Sequence, residues 1–204
     1  MTRRKPEGFP AALAERLHRL DVPDRELPIR GFPPPDPQWQ PRPSAVLVPI
    51  VLDEQPGVLL TVRHRSLTKH AGQVALPGGR READEPFPRV TALRETHEEI
   101  GVAPERVELL GQLDRVDTIS RFRISPVVGL VDPEAQPQAC PHEVSHIFRL
   151  PLEWVRDLER YRRHDVLRRG QRFTVWSLAG GPWLVWGATA IILRQLARHL
   201  NEID

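Results

Sequence analysis

The sequence predicts a mixed α/β fold: one sheet, a central helix and a terminal helix in a single domain. Three observations carry this. Short apolar runs of strand length follow one another from residue 45 onward. Arg89–Ile100 repeats its apolar residues at helical spacing and stops at Gly101, a residue suited to ending a helix. The chain closes on a second helical pattern over residues 188–200. A length of 204 residues suits one domain with an extension.

Each element has a local reason. Residues 11–20 place Leu13, Leu17 and Leu20 at helical spacing, a short amphipathic helix. Residues 28–43 then hold seven of the 22 prolines: Pro28, Pro33, Pro34, Pro35, Pro37, Pro41 and Pro43. Proline has no amide donor, so this stretch is expected to be an extended connector, neither helix nor central strand. Residues 1–42 are thus an N-terminal helix and Pro-rich extension packing on a core domain of residues 43–204. Residues 45–52 (AVLVPIVL) are almost continuously apolar, as in a strand buried on both faces. Residues 57–62 form a second strand, joined to the first by a turn at 53–56. Residues 107–113, 122–131, 145–150 and 173–178 read as later strands. In the closing helix Ile192, Leu193, Leu196 and Leu200 share one side. The charge run over residues 156–172, with seven arginines and three acids, reads as a solvated face or a surface for a phosphorylated ligand.

Composition removes several functions. Lys plus Arg is 29 against 27 for Asp plus Glu, a net charge of +2, too balanced for a general nucleic-acid coat. Cys140 is the single cysteine, so neither a disulfide framework nor a multi-cysteine zinc site fits within one chain. No apolar stretch reaches the ~18 residues of a membrane helix. The basic start Met1-Thr2-Arg3-Arg4-Lys5 has no apolar run behind it, so no secretory signal is read. A cytoplasmic protein without membrane or nucleic-acid partners is expected, its oligomeric state left open.

The chemistry concentrates at Arg89–Ile100. At 100° per residue, Val90, Leu93, Thr96 and Ile100 share one side, expected to pack inward. Glu95, Glu98 and Glu99 fall within about 100° of one another on the opposite side. Like charges so spaced repel, and a divalent cation with oxygen ligands relieves that cost. Mg²⁺ suits such a site, because it takes a few carboxylates and keeps waters for a phosphate substrate. Arg94 stands between the two faces, placed to orient a glutamate. Upstream, Pro77-Gly78-Gly79 is a loop whose backbone can approach a ligand closely, followed by Glu82 and Glu85.

Gly79…Glu85…Arg94-Glu95-Thr96-His97-Glu98-Glu99-Ile100-Gly101-Val102 resembles the Nudix box, G-x5-E-x7-R-E-U-x-E-E-x-G-U. Here eight residues separate Glu85 from Arg94, and Thr96 takes a usually aliphatic position. The longer spacing resembles the coenzyme A pyrophosphatase branch. So does Leu59-Leu60-Thr61-Val62-Arg63…Gly72-Gln73-Val74-Ala75-Leu76-Pro77-Gly78-Gly79, which is similar to that branch's signature apart from His64, Thr68 and Leu76. Further matches run to about residue 190.

The resemblance implies a Nudix fold, a mixed β-sheet sandwiched between α-helices, and a hydrolase acting on a nucleoside diphosphate derivative. For this branch that is coenzyme A, cleaved to 4′-phosphopantetheine and adenosine 3′,5′-bisphosphate. The alternatives are another Nudix substrate (ADP-ribose, a dinucleoside polyphosphate or a damaged nucleoside triphosphate) or a non-catalytic Nudix-like binding domain. The implied cofactor is Mg²⁺ or Mn²⁺, held by Glu95 and Glu99 with Glu98 in support and the Gly79 carbonyl as a further ligand. Arg94 orients Glu95. Glu143 matches the branch's Glu-Val position and is a candidate general base, with a surface loop carboxylate as the alternative. Arg63 is expected to grip a substrate phosphate or to pair with a box carboxylate. His70, Gly78 and Gly79 lie where substrate could touch. Trp183 or Trp186 could wall the adenine or the pantetheine, and nothing in the sequence chooses between them.

Overall fold

The computed structural model describes residues 8–32, 39–168, 170–179 and 181–203. Helix α1 (Phe9–Arg16) is followed by a short turn of 3-10 helix (Asp24–Glu26) and by strand β1 (Ile29–Gly31). Then come β2 (Arg42–Val51), β3 (Gly57–Arg63), β4 (Val74–Ala75), β5 (Gly78–Arg80) and helix α2 (Arg89–Ile100). Strands β6 (Val107–Gln112), β7 (Arg115–Asp117), β8 (Phe122–Val131) and β9 (Val144–Pro151) lead to α3 (Leu152–Arg156). Strands β10 (Tyr161–Arg168), β11 (Gln171–Leu178) and β12 (Val185–Trp186) precede the closing helix α4 (Ala188–Asn201).

Among the described residues, nine strands form one mixed sheet and β10–β11–β12 form a smaller antiparallel one. The heart of the large sheet is β2, parallel to β8 from Arg42 opposite Phe122 to Val51 opposite Val131. Its other side is shared by β5, at Ser44–Val46, and β3, at Ile50–Val51. Strand β3 continues along β9. The expected two-sided burial of β2 follows from the layers. Ala45 and Leu47 pack with Ala92 of α2 on one face. Val48 and Ile50 pack with Ile192, Leu193 and Leu196 of α4 on the other. The sheet therefore lies between α2 and α4, as a mixed sheet sandwiched between helices.

Several expectations are corrected. The first helix is shorter and earlier than residues 11–20, spanning Phe9–Arg16; Leu17 and the backbone of His18 instead join the body, His18 bridging to Gln112. The proline-rich stretch is not free of strands. Ile29–Gly31 runs parallel to β7, and Pro43 lies inside β2, the central strand. Pro43 lies just before the pairing with β5, which begins at Ser44, and its carbonyl accepts from the Arg81 amide. Pro49 sits where β2 changes partner from β5 to β3, so the missing amide removes no ladder bond. Residues 33–38 lie outside the described residues. The charge run at 156–172 is solvated from Arg162 to Leu167, as one of its two readings has it, but it is also a strand. It holds β10, a full partner of β11 from Tyr161 opposite Leu178 to Arg168 opposite Gln171. No helix is long and apolar enough to cross a membrane among the described residues.

Candidate active site

The site forms where α2 lies over the start of β2 and over β5. Helix α2 has the expected bounds, and Gly101 ends it in the left-handed region at φ 69°, its amide donating to the His97 carbonyl. Its orientation meets the expectation in part: Thr96 and Ile100 face inward as expected, and Val90 does not. Val90 is 42% exposed, whereas Thr91, Ala92, Thr96, Glu99 and Ile100 are buried. The inward face is thus turned from the apolar stripe toward the carboxylates. Glu99 goes inside because the sheet offers it donors: Arg63 Nη1 on β3, at 3.3 Å from Oε1, and the Gly78 amide on β5, at 3.2 Å from Oε2.

Glu99 is only 2% exposed, and burial pushes its carboxyl up to about 7. Arg63 and the Gly78 amide oppose that rise, while the neighbouring Glu95 and Glu143 charges add to it. Glu95 is also raised, first by burial, with Arg94 opposing and Glu98 and Glu143 reinforcing. A buried and a part-buried carboxylate one helical turn apart therefore share a negatively charged recess.

Backbone contact requires the glycine at 78, and the glycine at 79 leaves room for the Glu95 carboxyl group where it stands. A Cβ on Gly79 would collide with the Glu95 carboxyl group, and one on Gly78 would strike the Ala45 carbonyl and Val46 Cα. The Pro77-Gly78-Gly79 loop thus lets the carboxylates sit directly against backbone.

Arg94 is the hub of the outer half. Its Nε donates to Glu85 Oε1 at 2.8 Å, its Nη1 to Glu98 Oε2 at 2.9 Å, and its Nη2 to the Arg80 carbonyl at 3.1 Å. Nη2 also pairs with Glu95 Oε1 at 3.1 Å. Glu85 is held below the usual carboxylate range by that Arg94 bond, and Thr91 Oγ1 adds a donor at 2.6 Å. Glu85 stands in the box pattern with no task of its own there, and Thr91 lies outside the residues that pattern names. The signal for Glu85 was the box spacing itself, which places an acid where the guanidinium of Arg94 must be fixed.

Glu143 is exposed, just before β9, and its charge reaches both Glu95 and Glu99. The loop is tied in by backbone bonds: Cys140 N–H to the Glu99 carbonyl and His64 N–H to the Glu143 carbonyl. Cys140 therefore braces this loop. His70 is exposed, and its Nδ1 pairs with Gln73 Oε1 at 2.8 Å within its own turn. Arg63 makes the carboxylate pair rather than standing free for a phosphate.

As the side chains stand, no three carboxylate, histidine or cysteine groups converge on one point among the described residues. The reason is visible: Arg94 draws Glu95 and Glu98, and Arg63 draws Glu99. The donor chemistry nonetheless fits a hard divalent cation. All donors are oxygens, and Glu99, buried, and Glu95, part-buried, both have raised proton affinity.

Residues 41–180 match the Nudix domain family. An uncharacterized Nudix hydrolase, NudL, of Enterobacter sp. (strain 638) is 44% identical over 160 residues, 78% of this chain and 83% of that protein. A protein of the same description from Salmonella paratyphi B is 45% identical with the same coverage. Among solved structures, a MutT/nudix family protein from Enterococcus faecalis superposes with a TM-score of 0.50 at 21% identity, covering 84% of this chain and 66% of that one, a likeness of fold. With the box residues gathered around one recess and the family matched over most of its length, the chain belongs to the Nudix family and is a Nudix hydrolase, an enzyme acting on phosphorus-containing anhydrides.

Proposed function

We propose that this enzyme hydrolyses the pyrophosphate bond of coenzyme A or its derivatives, giving 4′-phosphopantetheine and adenosine 3′,5′-bisphosphate, in the cytoplasm and with Mg²⁺ or Mn²⁺. One observation carries the reading. The two segments that resemble the coenzyme A branch, one ending at Arg63 and one ending at Gly78-Gly79, both terminate on Glu99 of the Nudix box. The eight-residue spacing from Glu85 to Arg94 supports the same branch.

Glu95 and Glu99 would hold the metal, with Glu98 and the Gly79 carbonyl as further ligands. When bound, such an ion neutralises pyrophosphate charge and lowers the pKa of water. The chain's own residues do the rest. Arg94 holds Glu95 and Glu98 in place, braced by Glu85. Arg63, released from Glu99 by a competing cation, would turn to a substrate phosphate, which a guanidinium can grip bidentately. Glu143 stands at the rim of the recess and would take a proton from the attacking water. Incubation with coenzyme A and Mg²⁺ in ¹⁸O-water, followed by mass spectrometry, tests the reading. Label in one of the two named products supports it. Preference for ADP-ribose or a dinucleoside polyphosphate in the same panel would overturn it.

A further inference from the structure

A second recess lies at the end of β3, on the face of the sheet opposite Glu99. Val62, His64, Arg65, Ser145, His146 and Trp183 line a cavity of about 270 Å³. It adjoins the active site through the chain itself. Along β3, Val62 lines the cavity, Arg63 reaches Glu99, and His64 lines the cavity again. Along the paired strand, Glu143 immediately precedes Val144, which sits opposite Arg63, and His146 sits opposite Val62. A ligand held here could therefore reach around the strand end to the carboxylates.

The lining is selective in its chemistry. Trp183 is half-buried and fixed from behind by Phe148, ring centroids 4.8 Å apart, and flanked by His146 at 5.5 Å. An indole so braced offers a flat surface on which a base can stack. Arg65 and two histidines supply positive or donor groups, and no carboxylate lines the cavity. Trp186 is 41% exposed on β12 and lines no part of it. The volume is just below the roughly 300–1,000 Å³ of ordinary ligand pockets, room for a base and its sugar but not a whole coenzyme. A pantetheine arm carries neither ring nor charge and would use neither Trp183 nor Arg65.

We infer that this cavity is the specificity site for the phosphorylated nucleoside end of the substrate: the purine stacks on Trp183 and the 3′-phosphate meets Arg65, with His64 beside it. The inference rests on the coenzyme A reading for its substrate, but its binding test does not need turnover. Adenosine 3′,5′-bisphosphate and adenosine 5′-monophosphate are titrated calorimetrically into the full chain and into Arg65→Ala, Trp183→Ala and Trp186→Ala. The wild type should prefer the bisphosphate. Arg65→Ala, at an exposed position, should weaken bisphosphate binding roughly tenfold and erase that preference. Trp183→Ala should weaken both nucleotides, and Trp186→Ala neither. Absence of bisphosphate binding to the wild type, or a preference untouched by Arg65→Ala, would overturn the assignment. If the preference depends on Arg65 while coenzyme A is not cleaved, the cavity assignment stands and the catalytic reading falls. If coenzyme A is cleaved and none of the variants alters binding, the reverse holds.

Discussion

Replacing Glu99 by glutamine should stabilise the protein in the presence of a chelator, and only above the pH at which glutamate ordinarily ionises. In the unfolded chain Glu99 titrates near 4.5; in the fold burial holds its proton to about 7. Below pH 4.5 the group is protonated in both states and contributes nothing to the difference. Between 4.5 and 7 the unfolded chain releases a proton that the folded state keeps, so stability falls as pH rises through this window. Above about 7 the loss is complete. A gap from 4.5 to about 7, at 1.36 kcal/mol per pH unit, amounts to about 3 kcal/mol. At pH 5 the same linkage gives less than about 1 kcal/mol. Glutamine keeps one acceptor, for Arg63 or for the Gly78 amide, and has no proton to lose. Thermal melts by calorimetry at pH 5 and pH 8 with EDTA should thus show the advantage of Glu99→Gln widening by roughly 4–10 °C, given ~2–4 °C per kcal/mol for a domain of this size. Added Mg²⁺ should then raise the wild-type melt at pH 8 and barely move the variant. An advantage equal at both pH values, or larger at pH 5, would refute a strained, ionised Glu99.

Other outcomes follow from the same recess. Glu98→Gln, at a half-exposed side chain, should leave the melt unchanged and cut Mg²⁺-dependent turnover by more than about 100-fold, whereas near-wild-type turnover would remove Glu98 from the ligand set. Arg94→Ala deprives the part-buried Glu85 carboxylate of its charged partner and should lower stability by on the order of 1–2 kcal/mol in denaturant titrations; a loss indistinguishable from zero would deny Arg94 its role as hub. Gly79→Ala drives a methyl group into the Glu95 carboxyl and should weaken metal binding, read by isothermal titration with Mn²⁺, with unaltered affinity counting against the Glu95 position. Glu143→Gln should lower turnover roughly 10²–10⁴-fold; an unchanged rate would dismiss it as general base.

What could be read in advance was whatever has a local cause. The apolar run of β2, the hairpin to β3, the helix stop at Gly101 and the stripe of α4 each depend on residues close in sequence, and their bounds differ little from expectation. Strands β4 and β5, of two and three residues, have no such cause. They exist because β3 and β2 diverge at that end and present unpaired edges to them, a property of the sheet rather than of residues 74–80. Strand β10 escaped notice because its side chains from Arg162 to Leu167 are exposed, so no alternation marks it.

The turned face of α2 is the more instructive difference. Hydrophobicity alone sends Val90 inward and Glu99 outward, and the fold does the opposite. A helix selected only for packing would place an apolar side chain at 99, against Gly78 and Arg63. The carboxylate there is tolerated because an arginine and an amide already wait for it, yet they leave its proton affinity raised to about 7. That residual imbalance is what a divalent cation would remove. A carboxylate buried against the rule, with partial compensation from fixed groups, is where packing logic read from hydrophobicity alone fails.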